Sequence, residues 1–267
     1  MFLLEDITLI VLFLTLVIVA ITWYYYARSL AGLIPRRRRL PPLDLLKPAL
    51  GRGAESGHAI HISPGPGEIG SRSTMGETTV GLLAAERIAN QAALKGTPIL
   101  VSSGDAVVHL ALRGILRQAY QRAGRAHDYN PANIQLLAHQ NATAYATGVM
   151  TLYSRQPLEA SQMIGSFSHE FLLFAEDGAR QKVPQVMGAT TIAALPVMML
   201  NTPSTLIGEE IFAAESYLTD TAPPQARLMT QDMLRTVVIL LIVCGILYNL
   251  LRPWVQPWVE LPPLPGT

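Results

Sequence analysis

Residues 7–26, ITLIVLFLTLVIVAITWYYY, run without a single charged side chain. A helix rises about 1.5 Å per residue, so a run of this length matches a hydrocarbon core of about 30 Å. Lipid offers no partners to backbone N–H and C=O groups, so such a stretch is confined to helix if it enters a bilayer. Trp23, Tyr24, Tyr25 and Tyr26 close the run as an aromatic belt at one interface. A cleavable leader would place basic residues first, then a shorter core and a small-residue cleavage site. Here Glu5 and Asp6 lead and the arginines follow, which points to an uncleaved anchor.

A second apolar run, TVVILLIVCGILYNLL, covers residues 236–251. It is short, but Arg235 and Arg252 can snorkel from its ends, and Trp254 and Trp258 suit the far headgroups. Cys244 and Gly245 offer a small-residue contact through which the two spans can pack. These two runs hold much of the apolar excess of a chain that is 50% hydrophobic.

Charge around the spans sets the expected orientation. Glu5 and Asp6 precede the first, whereas Arg28, Arg36, Arg37, Arg38, Arg39, Lys47 and Arg52 follow it. The positive-inside rule then places the central region in the cytoplasm and both termini outside, as in a two-pass inner-membrane protein. The expected division is an extracytoplasmic 1–6, a transmembrane helix over 7–27, and a basic, proline-rich linker over 28–56. A cytoplasmic α/β domain over 57–219 follows, then a linker over 220–234, a second transmembrane helix over 235–252 and a Pro/Trp-rich tail over 253–267. Arg36, Arg37, Arg38 and Arg39 serve as a topology signal and fit an anionic-lipid contact worth about 1 kcal/mol per arginine. Trp23, Trp254 and Trp258 are the other expected lipid contacts.

The formal charge of +1 gives no general case for nucleic-acid binding. Cys244 is the sole cysteine, so neither an intramolecular disulfide nor a cysteine metal cluster can form.

Between the spans, short apolar runs stop at small or polar residues and helical patterns take over. Expected strands are residues 58–63, 99–102, 134–138, 162–167, 185–189, 195–200 and 205–207. Between them lie expected helices at 79–94, 106–123, 141–154, 168–178 and 209–218. This alternation predicts an α/β fold, a mostly parallel Rossmann-like open sheet with helices on both faces, flanked by two transmembrane helices. The segments GSFSHEFLLFAEDG, QVMGATTIAALPVMML and LIGEEIFAAESYL, with HISPGPGEIG and AYATGV, resemble an uncharacterised family of bacterial two-span membrane proteins, a domain of unknown function. That family has no assigned activity. The resemblance implies two spans and a cytoplasmic α/β domain, and it supplies no catalytic residue.

The chemistry-bearing candidates have ordinary structural readings beside them. Gly65, Gly67 and Gly70 spell G-x-G-x-x-G after a strand, but Pro66 stiffens the turn, no helix opens at once, and no acid ends the next strand at the expected distance. A plain loop or a small anion nest fits better than a dinucleotide site. Ser166, Ser168, His169 and Glu170 crowd one turn, too close in sequence to form a triad and lacking the second glycine of a nucleophile elbow. Ser168 reads as a helix cap, with Glu170 at the positive end. Glu209 and Glu210 could hold a divalent ion, or simply suit a first helical turn. No metal and no cofactor is expected, and no catalytic motif is recognisable.

In open parallel sheets, ligands sit beyond the carboxyl ends of the strands, where strand order reverses. The candidate ligand-contacting residues there are Gly65, Gly67, Gly104, Asp105, Gly165, Ser166, Gly188, Thr190 and Glu209. Two functions stay open. One is a structural, scaffold or accessory subunit in a homo-oligomer or larger membrane complex. The other is a membrane-tethered binder or enzyme for a small polar or phosphorylated ligand at that rim. The expected partners are a bilayer with anionic lipids and other protein subunits, without nucleic acid.

Overall fold

A computed structural model describes residues 2–32, 40–139, 141–202, 204–219 and 221–255. The chain divides into two compact units, residues 1–36 with 221–267 and residues 37–220.

The first unit is a pair of helices, α1 (Phe2–Leu30) and α10 (Ala222–Val255). Both contain stretches long and apolar enough to cross a membrane, Val11–Leu30 and Ala222–Leu250, so the protein carries two helices that could span one. Ser29 Oγ donates to Gln225 Oε1 at 3.1 Å, joining the C-terminal end of α1 to the start of α10. Residues 222–234 were expected as part of a linker, yet they are the first turns of α10. Pro223 and Pro224 fit there because a first helical turn has no internal use for their missing N–H groups. Gly245 does not serve as the α1 contact expected of it: a Cβ added there meets nothing within 4 Å, and Cys244 is exposed. Trp23 is exposed. Arg36, Arg37, Arg38, Arg39 and Trp258, along with the side chain of Trp254, lie outside the described residues.

The second unit is a three-layer α/β/α sandwich. Its strands are β1 (Ala59–Ser63), β2 (Ile99–Ser103), β3 (Ile134–Leu136), β4 (Leu158–Ile164), β5 (Gln185–Ala189) and β6 (Thr205–Ile207). They form one sheet of order β3-β2-β1-β4-β5-β6, parallel at every pairing. The helices are α2 (Pro41–Asp44), α3 (Leu46–Ser56), α4 (Met75–Lys95), α5 (Ala106–Arg122), α6 (Ala142–Arg155), α7 (Phe171–Arg180), α8 (Leu195–Asn201) and α9 (Glu210–Leu218).

Because side chains alternate along a strand, the central strands feed two different cores. Ile60, Ile62, Val101 and Ile164 pack with α2, α3, α4, α5 and α9, around residues such as Leu50, Ile88, Leu112 and Ile211. On the opposite face Met163 and Met187 pack with α6, α7 and α8, around Tyr145, Phe167, Phe171, Phe174 and Met198. The α4 stripe of Ala84, Ala85, Ala89, Ala92 and Ala93 is wholly buried, which lets this helix lie close to the sheet. Arg87 Nη2 reaches Glu215 Oε1 at 2.9 Å and Gln91 donates to the Leu218 carbonyl, tying α4 to α9.

Two expectations need correction. Residues 195–200 form helix α8, not a strand, with Pro196 in the first turn and Met198 as the buried anchor. Residues 40–56 were read as linker, yet α2 and α3 belong to the sandwich. Leu43, Leu46, Ala49 and Leu50 are buried, and Thr97 Oγ1 donates to the Leu50 carbonyl at 2.6 Å.

Candidate functional site

Strand order reverses between β1 and β4: one half of the sheet grows outward as β1-β2-β3, the other as β4-β5-β6. The loops leaving those two strands must diverge, and a crevice opens between them. A cleft of about 470 Å³ lies there. The loop after β1 contributes Pro66, Gly67, Glu68, Ser71, Ser73 and Thr74, and the first turn of α4 contributes Glu77. Residues 166–170 line the side that follows β4, Asn141 and Ala142 come from the start of α6, and Thr191 comes from the segment after β5. Thr74, Asn141 and Glu170 occupy the N-cap positions of α4, α6 and α7, so three helix starts meet at this cleft.

The glycines hold the loops together. Gly65 has φ 92°, and a Cβ there would lie 3.1 Å from the Phe167 ring and against the Ser166 carbonyl. A Cβ on Gly67 would lie 2.5 Å from both Ser166 Cβ and Thr78 Oγ1. Gly104 abuts Pro66, and its N–H donates to the Gly65 carbonyl at 3.3 Å. Gly165 packs against the backbone of Pro64, which accepts from the Ser166 N–H at 3.2 Å. These close approaches bind the β1, β2 and β4 ends into one rim.

The nine ligand candidates therefore separate. Gly67 and Ser166 line the cleft. Gly65, Gly104 and Gly165 sit in the loop packing just described. Thr190 enters through its backbone, which hydrogen-bonds the Glu77 carboxylate. Asp105 caps α5, its Oδ2 accepting from the Val107 and Val108 N–H groups at 3.0 Å. Gly188 lies within β5 among Ile211, Leu206 and Ile164. Glu209 precedes α9 beside the edge strand β6 and does not line the cleft.

Glu77, Asn141 and Glu170 contribute polar atoms that the candidate set lacks. Burial raises the Glu77 carboxyl above its ordinary value, while hydrogen bonds from the Ser166 side chain and the Thr190 backbone pull it down. Glu170 is 2% exposed; its Oε1 accepts from the Ser168 N–H at 2.9 Å, and its Oε2 has no partner. Ser168 thus donates to Glu170 through its backbone instead of capping α7 with its hydroxyl. Thr74-x-x-Glu77 is the spacing of a capping box, the sequence signal that marks the start of α4 and brings Glu77 to its first turn. The Thr74 hydroxyl bonds the Glu68 carbonyl at 3.0 Å instead of closing that box, which fixes the loop onto the helix.

A buried polar chain runs across the central strands on the α6 face. Tyr145 Oη shares hydrogen bonds with Ser63 Oγ and Ser102 Oγ; His61 Nε2 lies 2.9 Å from Ser102 Oγ and Nδ1 2.8 Å from Ser161 Oγ; Tyr153 Oη donates to Ser161 Oγ at 2.8 Å. Ser63 Oγ also accepts from the Gly65 N–H at 3.0 Å, so the chain anchors the cleft loop. Burial lowers the His61 imidazole to about 3, leaving it neutral. Burial raises the Tyr145 phenol to about 12, over the lowering effect of its serine partners, and it also raises Tyr153. These groups are locked in neutral form and act as fixed hydrogen-bond partners.

Among the described residues, no cluster of three His, Cys, Asp or Glu side chains is placed to hold a metal ion. No curated protein and no solved structure matches the chain. A family model described as Domain of unknown function (DUF6754) matches residues 1–257, nearly the whole chain, and the protein belongs to that family.

Proposed function

We propose that this protein is a membrane-anchored α/β domain that binds a small polar ligand in the cleft between β1 and β4. The observation that carries this reading is the position of the cleft: a space of about 470 Å³ at the reversal of strand order, where open parallel sheets bind ligands. Its walls offer hydroxyls from Ser71, Ser73 and Ser166, an amide from Asn141, and carboxylates. The flanking charge pattern supports a domain on the cytoplasmic side of an inner membrane, with both termini outside and the arginine run against anionic lipid. The test is a melting-shift screen of the full chain in lipid nanodiscs against a broad metabolite set. A hit that stabilises the wild type and not an Ala142→Trp variant, which fills the cleft, supports the reading. Silence across the screen counts against it.

A structural or scaffold role in a homo-oligomer or larger membrane complex is the second reading. Ile192, Met199 and Leu200, at or near α8, are 83%, 62% and 86% exposed, and Leu172 and Leu173 on α7 are also exposed. Apolar side chains gathered on neighbouring segments suit a protein contact. Crosslinking through cysteines placed at Ile192 and Leu200 in native membranes tests it.

A further inference from the structure

We propose that the cleft is selective for a small organic cation, whose ammonium group pairs with Glu170 and lies in the field of Glu68 and Glu77. This rests on the reading of the cleft as a ligand site and adds the chemical class of the ligand.

The first argument is charge. Glu68, Glu77 and Glu170 line the cleft, and among its lining residues none is lysine or arginine. His169, the basic side chain on the wall, is exposed. An anion placed here would face repulsion from these carboxylates at close range.

The helix starts do not reverse this. Three helix N-termini ordinarily favour an anion such as phosphate. Here the chain supplies its own acceptors. Asn141 Oδ1 accepts from the Ala144 N–H at 2.9 Å, the Ser168, His169 and Glu170 carbonyls take the Phe171, Leu172 and Leu173 N–H groups that open α7, and the Ser71 carbonyl takes the Met75 N–H that opens α4. An incoming phosphate would find these donors engaged.

The third observation is an unmet hydrogen-bonding demand. Glu170 is 98% buried, and one carboxylate oxygen has no partner within the protein. A carboxylate accepts about four hydrogen bonds, and leaving an oxygen bare in a buried position is costly. An ammonium group brings three donors and a positive charge, which answers that demand. Phe167 on the same wall suits the carbon stem of such a ligand.

The test is calorimetric titration of the full chain in nanodiscs of zwitterionic lipid, with 1,4-diaminobutane, 1,6-hexanediol and inorganic phosphate as probes. The expected result is saturable diamine binding, absent for phosphate and much weaker for the diol. Glu170→Gln keeps the shape and removes the charge, and it should weaken diamine binding about ten- to a hundredfold. Glu68→Gln, a second isosteric change on a less buried wall residue, should weaken it too, which keeps the test open if Glu170→Gln melts early. Diamine binding that survives both changes and Ala142→Trp is surface attraction and overturns the proposal. Phosphate or diol binding that Ala142→Trp abolishes overturns the cation class and leaves the cleft reading standing. No binding of any probe overturns the cation class, and the metabolite screen then decides the cleft reading separately.

Discussion

His61 Nδ1 lies 2.8 Å from Ser161 Oγ, a side-chain bond between the two strands at which the sheet reverses its order. It is made by a ring that burial keeps neutral, and Ser102 engages the other nitrogen at 2.9 Å. A neutral imidazole carries one donor and one acceptor, and the two serine hydroxyls can supply the complement of each. The consequence is a defined acid sensitivity. His61 has a folded value of about 3 against 6.5 unfolded, so its contribution is fully present above pH 6.5. As pH falls below that, the unfolded chain takes up a proton that the folded chain refuses, and stability declines by about 1.4 kcal/mol per pH unit until near the folded value. The difference in thermal stability between wild type and His61→Gln should be flat above pH 6.5 and shift below it. A pH-independent difference would show that His61 titrates normally.

Gln162 on β4 is fully buried, and neither its Nε2 nor its Oε1 has a partner. A buried amide left unsatisfied costs about 1–3 kcal/mol, and an apolar replacement of similar shape removes that cost. Gln162→Leu should therefore stabilise the full chain by about 1 kcal/mol in detergent melts. A drop in melting temperature would mean that the amide is satisfied in solution.

Gly65 joins a left-handed φ of 92° to a contact with the Phe167 ring. Gly65→Ala faces both backbone strain and a clash, for a loss of about 1–3 kcal/mol. Gly70 has φ 108° but open space around it, so Gly70→Ala should cost less. Equal melting temperatures for the two variants would remove the loop-packing role assigned to Gly65.

Topology is checked with single cysteines in a Cys244→Ser background. Cysteines at the exposed Ser56 and Thr221 should resist a membrane-impermeant thiol reagent in intact cells, and one at Thr267 should react. Labelling of the first two without the third would invert the orientation.

The sequence made the layered fold legible because β1, β2 and β5 end in Ser63, Ser103 and Ala189, β4 and β6 run straight into Gly165 and Gly208, and a helix opens within a few residues of every strand but β1. It misled at residues 195–200, where LPVMML is apolar, short and without clear periodicity, so strand and helix look alike until Pro196 is read as a helix start. It misled at residues 40–56, where the prolines at 41, 42 and 48 suggested broken chain. Leu43, Leu46 and Leu50 nevertheless gain enough burial to hold two short helices. The cleft was legible in position and less so in chemistry. Gly65, Gly104 and Gly165 are selected by contacts between loops far apart in sequence, and no local pattern reveals such contacts. Glu77 and Glu170 come together at the cleft from helix starts about ninety residues apart in sequence, which again is tertiary information.

The reversed strand order also bears on how the chain is made. β1 is synthesised before both of its neighbours, and β2 follows within about forty residues. Its other neighbour, β4, brings Ser161 to His61 only a hundred residues later. At about 5–20 residues per second, one edge of this central strand pair waits on the order of 5–20 s for its partner on the ribosome. During that interval β1 presents an open row of N–H and C=O groups, the kind of edge on which neighbouring nascent chains pair. An α1 helix already inserted in lipid would hold each chain apart from the next, and insertion would then act as a first safeguard against misassembly.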